Sequence, residues 1–318
     1  MNRPLNPPLR SFKSLRVSLG SACDLACDYC APDHRLSVLG ELAPQETAKL
    51  VRLLANHLSL TKLRITGGEP LLGNRLERFL SALGQGLEGK IGLTTNGQML
   101  EQKIPLLLQA GIRRVNVSLD SLQPASYARI TAGGDLRRTL AGLAAAKEAG
   151  LQVKINMIPQ RNRNEEEILP LLEWACSQGF ELRFIELMRM GTLSRYADFA
   201  QRWVGLNEIL KRIQARYLVR ALPRPSGATA QGFEATNLGR FGVIANESAP
   251  FCADCDRLRL TPKGELIGCL SSETRFDLKT LLAHPDEASL SQLLDQALAE
   301  KQEIRFLGSR LEMMEIGG

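Results

Sequence analysis

Between residue 15 and about residue 190, short runs that alternate apolar and polar positions give way repeatedly to stretches with helical spacing of apolar residues. The period-two runs predict strands at Leu15–Leu19, Lys62–Thr66, Lys90–Thr94, Arg114–Leu119, Gln152–Ile158 and Glu181–Met188. Helix-period segments lie between them, as at Gln45–Leu58 and Asn164–Gln178. A β-α-β-α succession predicts a parallel sheet with right-handed crossovers. Six such units, rather than eight, predict a partial (β/α)6 TIM-like barrel. From about residue 190 the alternation stops. A polar connection is expected at 191–201, then a helix near Leu206–Ala215, short strands, and a mobile loop beginning at Pro223–Gly227. The expected organisation is a barrel over 1–218 and a smaller α+β extension over 219–318 that closes the barrel's open side.

Within the predicted strands, side chains two apart share a face. One face carries Arg16 and Ser18, Arg64 and Thr66, Thr94 and Asn96, Asn116, Ser118 and Asp120, Lys154 and Asn156, and Glu186 and Met188. The other carries Val17 and Leu19, Leu63 and Ile65, Val115 and Val117, and Val153 and Ile155. The apolar face belongs under the helices and the polar face inside the barrel. Closed eight-stranded barrels fill their interior with branched apolar side chains. A polar lining therefore implies an open interior that holds a polar ligand. The competing arrangement, a parallel sheet with one wet face, runs against the rule that parallel sheets are covered on both sides. Most of the polar residues also gather near the C-terminal ends of their strands, where barrel enzymes assemble their active sites.

Composition narrows the classes further. The 318 residues include 40 Lys and Arg against 34 Asp and Glu, a net charge of +6. That admits an anionic ligand, and with no basic run of five residues it does not call for nucleic acid. No apolar run approaches the length of a membrane span, and the first residues do not read as a signal peptide. Three histidines leave little room for catalysis built on imidazole. Seven cysteines, six of them in two groups, speak against a disulfide framework and for metal-binding thiols in a reducing cytoplasm. Cys176, the seventh, lies on an amphipathic helical pattern and reads as a core thiol. Gly84-Gln85-Gly86-Leu87-Glu88-Gly89 matches G-x-G-x-x-G, but it follows a helical run and precedes a strand. A dinucleotide fingerprint must do the opposite, so this segment is read as a helix-to-strand loop.

The two cysteine groups carry the candidate chemistry. Cys23, Cys27 and Cys30 stand at C-x3-C-x2-C directly after the first predicted strand. Three thiolates can hold one face of a cubic iron–sulfur cluster, which normally takes four, so one iron is left for a non-protein ligand. Cys252, Cys255 and Cys269 stand at C-x2-C-x13-C and are again one short of four. Structural zinc is the alternative for both groups, but zinc motifs usually close at four ligands. Arg257 and Arg259 follow the second group at strand spacing, so both guanidiniums project the same way. Such forks match phosphate oxygens in pairs.

C-x3-C-x2-C with Tyr29 just before its last cysteine resembles the radical S-adenosylmethionine (SAM) superfamily. Thr66-Gly67-Gly68-Glu69-Pro70, after the second strand, resembles that superfamily's stretch for holding the SAM amino group. The two cysteine groups, Asp256-Arg257-Leu258-Arg259-Leu260-Thr261, Asn116-Val117-Ser118-Leu119-Asp120-Ser121, Arg183-Phe184-Ile185-Glu186-Leu187-Met188 and the end Gly317-Gly318 resemble, over nearly the full length, the GTP 3′,8-cyclases of molybdenum cofactor biosynthesis. The resemblance implies conversion of GTP to (8S)-3′,8-cyclo-7,8-dihydroguanosine 5′-triphosphate, with SAM and two [4Fe-4S] clusters as cofactors. It implies that Cys23, Cys27 and Cys30 ligate the SAM-binding cluster, and that Tyr29, Gly68, Ser118 and Met188 contact SAM. Cys252, Cys255 and Cys269 would ligate a second cluster that meets the guanine. Arg16, Arg64, Thr94, Lys154, Arg257 and Arg259 would hold GTP, and the tail Gly317-Gly318 would reach into the active site. Further expectations are an external one-electron reductant, delivery of the product to the next enzyme of the pathway, a monomer or homodimer, and no nucleic-acid or membrane partner. A radical SAM enzyme that matures a peptide and a zinc-bearing nucleic-acid-binding protein are the competing readings. The arginine pair favours a nucleotide over a peptide.

Overall fold

The computed structural model describes residues 10–30, 39–87, 89–195 and 198–317. Six strands pair side by side in parallel: β1 (Ser14–Ser18), β2 (Lys62–Thr66), β3 (Ile91–Thr95), β4 (Arg114–Ser118), β5 (Gln152–Met157) and β6 (Glu181–Ile185). The crossovers carry α1 (Pro44–His57), α2 (Arg75–Leu83), α3 (Leu100–Gln109), α4 (Pro124–Thr131), α5 (Leu136–Glu148) and α6 (Ile168–Ser177). Their starts are chemically marked. Pro44 opens α1, where its missing N–H costs nothing, and Glu46 Oε2 accepts from the Ala43 N–H at 2.8 Å. Asp135 caps α5 by accepting from Arg137 N at 2.9 Å.

The expected two faces form. Val17, Ile65, Val117 and Ile155 have no solvent exposure and pack with Val51, Leu54 and Phe79 of the helices in one continuous core. Cys176 packs against the edge of that core, as a structural thiol does. Gly84–Gly89 does lie between the end of α2 and the start of β3.

The C-terminal part does not sit apart from this sheet. After α7 (Phe199–Arg202) and α8 (Leu206–Gln214) come β7 (Val219–Ala221), β8 (Gln231–Ala235), β9 (Gly239–Ile244), β10 (Arg257–Leu260), β11 (Glu265–Ile267) and β12 (Phe276–Asp277). β9 pairs in parallel with β6, and β10 pairs in parallel with β1. β8 and β7 continue outward from β9, and β11 and β12 from β10, all antiparallel. The result is one 12-stranded sheet in the order β12-β11-β10-β1-β2-β3-β4-β5-β6-β9-β8-β7, open between its outer strands. This is the partial barrel of the sequence reading, widened at both edges by its own C-terminal segment.

Three local readings need correction. The last barrel strand stops at Ile185 and not at Met188; the Glu186 N–H still donates to the Ile244 carbonyl at 3.1 Å, and its carboxylate accepts from Leu206 N at 2.8 Å, Glu247 N at 2.9 Å and Ser248 N at 3.0 Å where the chain turns away. Residues 191–201 are not simply a polar connection. A 3-10 turn at Gly191–Ser194 and the start of α7 lie within them, with Leu193 and Phe199 buried. The loop at Pro223–Gly227 is anchored, since Asp254 Oδ2 pairs with Arg224 at 2.7 Å and accepts from Gly227 N at 3.0 Å.

Gly268, one residue before Cys269, lies against the helix Glu287–Ala299, and a Cβ there would overlap the backbone of Ala297. Gly268→Ala is expected to lower stability by about 1–3 kcal/mol through overpacking, read as an earlier urea midpoint at unchanged slope.

Candidate active site

The first cysteine loop leaves the C-terminal end of β1 and is held on two sides. The N–H groups of Ala26 and Asp28 donate to the carbonyls of Thr131 (3.2 Å) and Ile130 (3.0 Å) at the end of α4. The N–H groups of Gly68 and Glu69 donate to the carbonyls of Gly20 (2.7 Å) and Ala22 (2.9 Å). Gly68 is required by that approach, since a Cβ would overlap the carbonyls of Ser21 and Ala22. Beside it Glu69 accepts from Leu71 N (2.9 Å), Thr95 Oγ1 (2.7 Å) and Asn96 N (2.7 Å), so the second strand's exit is tied to the third's. Asn96 Nδ2 then donates to Asp24 Oδ1 at 2.7 Å inside the cysteine motif.

Two further side chains of the motif are pinned by the turn after β5. Asp28 Oδ2 pairs with Arg163 at 3.0 Å and Arg202 at 3.3 Å, and its Oδ1 accepts from Gln160 Nε2 at 3.2 Å. Tyr29 Oη donates to Asp120 Oδ2 at 2.7 Å, while Asp120 Oδ1 accepts from Ile158 N at 2.8 Å. Burial pushes the Asp120 carboxyl up to about 6 against those two donors.

Inside the barrel lies a cavity of about 280 Å³. Cys23, Cys27, Cys30, Tyr29, Gly68, Ser118 and Met188 line it, as do Arg16, Thr94, Arg257 and Arg259. A second cavity of about 60 Å³ is lined by Cys252, Cys255 and Cys269. Asn246, Phe251, Arg257, Arg259 and Leu270 belong to both linings, so the two thiol groups open on adjoining spaces with a shared wall.

That wall is strongly cationic. The register of β1 and β10 sets Arg16 opposite Arg259, and that of β1 and β2 sets Arg16 opposite Arg64. Burial, then the charges of Arg259, Arg257, Arg64 and Arg183, push the Arg16 guanidinium well below its ordinary range. Burial and Arg257 lower Arg259 to about 10, and burial with Arg183 and Arg114 lowers Arg64 to about 10. Arginine guanidiniums stay charged in proteins, so these groups repel one another in a medium that screens poorly. A polyanion would relieve that repulsion.

Not every expected residue stands on the main cavity. Arg64 lies against Gly92, with Nη1 donating to the Leu93 carbonyl at 3.3 Å. Lys154 is held by both carboxylate oxygens of Glu181 at 2.7 Å. Gly317 packs on Ser18 and Thr66, and its carbonyl accepts from Arg259; Gly318 lies outside the described residues. Sequence reasoning missed Arg183, which lines the cavity, donates to Asn156 Oδ1 at 2.8 Å and has no partner for its buried Nε among the described residues. The signal was present. Arg183 stands between Leu182 and Phe184, both fully buried, and so shares the inward face. The reading had instead taken its parity from Glu186 and Met188, beyond the strand's end.

Fold and site together define a barrel enzyme of the radical SAM class, and the model of the Radical SAM superfamily matches residues 17–175. The Molybdenum Cofactor Synthesis C model matches residues 180–306. Among curated relatives, the GTP 3′,8-cyclase of Rhizobium meliloti is 36% identical over 305 residues, covering 93% of this chain and 86% of that one. That of Parasynechococcus marenigrum is 38% identical over 340 residues, covering 97% and 96%. Among solved structures, Streptococcus suis SuiB bound to precursor peptide SuiA has a TM-score of 0.60 at 18% identity, over 94% of this chain and 75% of that one. At that identity the likeness is one of fold. The chain belongs to the GTP 3′,8-cyclase family.

The family carries SAM and [4Fe-4S] clusters, and the donor sets here suit them. All the cysteines are free thiols. Among the described residues no three His, Cys, Asp or Glu side chains converge on a single-ion site. The thiols of each group stand around a cavity, as ligands of a polynuclear cluster do. Burial raises the Cys23 thiol to about 12 and Cys30 to about 11, so loading must displace protons. In the second group, Cys255 Sγ accepts from Lys301 Nζ at 3.1 Å and Arg257 Nη2 at 3.2 Å, which suits a thiolate.

Two outcomes follow from this geometry. Arg202→Gln is expected to cost about 3 kcal/mol, the low end for breaking a buried ion pair from one side, because Asp28 keeps Arg163. It should also reduce the iron retained at the first site, measured as iron per chain after anaerobic gel filtration. The second outcome concerns pH. Burial pushes Glu69 up to about 7 against its three donors, so the folded chain holds that proton more tightly than the unfolded chain. Its contribution to stability is full below the ordinary glutamate range and is lost as pH rises through about 7. Between pH 4.5 and 7 the wild type should therefore lose about 3 kcal/mol relative to Glu69→Gln, read from urea unfolding at stepped pH.

Proposed function

We infer that the chain converts GTP to (8S)-3′,8-cyclo-7,8-dihydroguanosine 5′-triphosphate, the first step of molybdenum cofactor biosynthesis. One observation carries the reading: two thiol triplets open on adjoining cavities whose common wall holds Arg257 and the buried Arg259, with Arg16 opposite Arg259 across the β1–β10 pairing. A nucleoside triphosphate is long enough to touch both spaces and anionic enough to neutralise that wall.

In this account Cys23, Cys27 and Cys30 hold the SAM-binding cluster, and Cys252, Cys255 and Cys269 hold a second cluster facing the guanine. When bound, SAM and the first cluster supply, by one-electron reduction, the means to remove a hydrogen atom from the ribose C3′. The chain's own task is to place that carbon and guanine C8 within bonding reach. Arg16, Arg257 and Arg259, with Arg183, receive the triphosphate. Arg64 and Lys154 lie beyond them, and Lys154 exchanges Glu181 for a phosphate oxygen. Thr94 hydrogen-bonds the nucleotide. Tyr29, Gly68, Ser118 and Met188 shape the SAM pocket. The segment ending at Gly317 excludes water beside Arg259.

Residues 1–218 carry the SAM half of the site and residues 219–318 the second-cluster half. We place the enzyme in the cytoplasm, with an external one-electron reductant and delivery of product to the next enzyme of the pathway. No helix among the described residues is long and apolar enough to cross a membrane.

Anaerobic reconstitution followed by incubation with GTP, SAM and dithionite tests the reading by mass analysis of the nucleotide. The cyclised triphosphate is expected, and unchanged GTP alongside cleaved SAM would count against it. In the Arg257→Ala/Arg259→Ala double variant, GTP conversion should fall below detection while SAM cleavage stays measurable. Wild-type conversion there would remove the arginine pair from substrate binding.

A further inference from the structure

The surroundings of the two thiol groups differ in sign. Beside the first stand carboxylates: Asp24 Oδ1 lies 3.8 Å from Cys23 Sγ, and Asp120 accepts from Tyr29, the residue between Asp28 and Cys30. Arg163 and Arg202 are close by but are taken up by Asp28. Around the second, the charges are cations. Arg257 stacks on Phe251 at 4.8 Å, and its Nη2 points at Cys255 Sγ. Arg10 Nη2 donates to the Cys252 carbonyl at 2.5 Å, and its Nε to that of Ala253 at 3.0 Å. Of the two carboxylates flanking Cys255 in sequence, Asp254 is neutralised by Arg224, and Asp256 has its carboxylate beside Gly227.

Lys301 is the unusual member of this set. It comes from the end of the helix Glu287–Ala299, far in sequence from the cysteines, and is 9% exposed. Its Nζ donates to Cys255 Sγ at 3.1 Å and to the Arg257 carbonyl, and lies 5.3 Å from the centre of the Phe12 ring. An ammonium is costly to bury unless an anion pairs with it. The only anion these contacts can offer is the Cys255 sulfur as a thiolate.

We propose that Lys301 is a positioning residue whose charged hydrogen bond to Cys255 raises the reduction potential of the second cluster, so that it takes up an electron before the first. The proposal rests on the two-cluster reading above. Reduction adds one electron from the external reductant, with no bond made or broken. The added negative charge is stabilised by a buried cation on a ligand sulfur and opposed by carboxylates around the other site.

The test is an EPR-monitored redox titration of the reconstituted holoenzyme with dithionite. The two signals are assigned by adding SAM, which perturbs the first. In the wild type the SAM-insensitive signal should appear at the higher potential. Lys301→Gln should change its oxidised-to-reduced ratio at fixed potential at least tenfold toward oxidised, a downward shift of about 59 mV for a one-electron couple, and leave the first signal in place. Lys301→Arg should recover most of the shift. Retention of the second cluster by the Arg variant alone would also support the charge's role. The proposal is overturned by an unmoved midpoint in Lys301→Gln at full iron content, by equal shifts in both variants, by loss of the second cluster from both, or by a wild-type SAM-insensitive signal below the first. Fewer than about eight irons per wild-type chain would instead point to failure of the two-cluster reading itself.

Discussion

The parallel pairing of β10 with β1 is the contact on which the site depends. It joins residues more than 240 positions apart and fixes their register, with Ser14 opposite Arg257 and Arg16 opposite Arg259. Leu15, Val17, Leu258 and Leu260 are fully buried on the underside of these two strands. Because side chains alternate, burying those four forces Arg16 and Arg259 onto the inner face together. The fold thus uses its apolar face to hold like charges at close range. A slip of one residue would bury arginines among the helices and turn leucines into the chamber.

The same pairing explains why two cysteine groups from opposite ends of the chain share a wall. The first follows the C-terminal end of β1; of the second, Cys252 and Cys255 precede β10, the neighbour of β1 in the sheet, and Cys269 follows β11, the neighbour of β10. Their supports are otherwise separate. The first loop is held by backbone contacts to Gly68, Glu69 and α4 and by the Asp28 and Tyr29 anchors. The second is held by Arg10, Lys301 and the close approach of Gly268 to the helix Glu287–Ala299. The two thiol sites can therefore be tuned independently while opening on adjoining spaces.

Where the sequence was legible, local physics was enough. Lys62–Thr66 alternates cleanly because one face is covered by helices, and β2 has those bounds. Pro44 and Glu46 mark the start of α1 without help from the rest of the chain. The reading failed where a side chain is governed by a distant partner. Glu186 looks like a strand residue until its carboxylate is seen capping Leu206 and the turn at Glu247 and Ser248. Arg183 was overlooked for the same reason, since a misplaced strand end shifts the parity of everything before it.

What the amino-acid order determined alone is the inventory: six βα repeats, a polar inner face, two incomplete thiol triplets and an arginine pair, all set by spacings short enough to be local. What tertiary structure decided is adjacency. Only the folded sheet and the segments packed on it put Arg259 beside Arg16, Lys301 on Cys255, Arg202 on Asp28 and Lys154 on Glu181. Contacts of that kind depend on strand order and register, which are fixed by how the whole sheet buries its apolar side, and no local pattern encodes them.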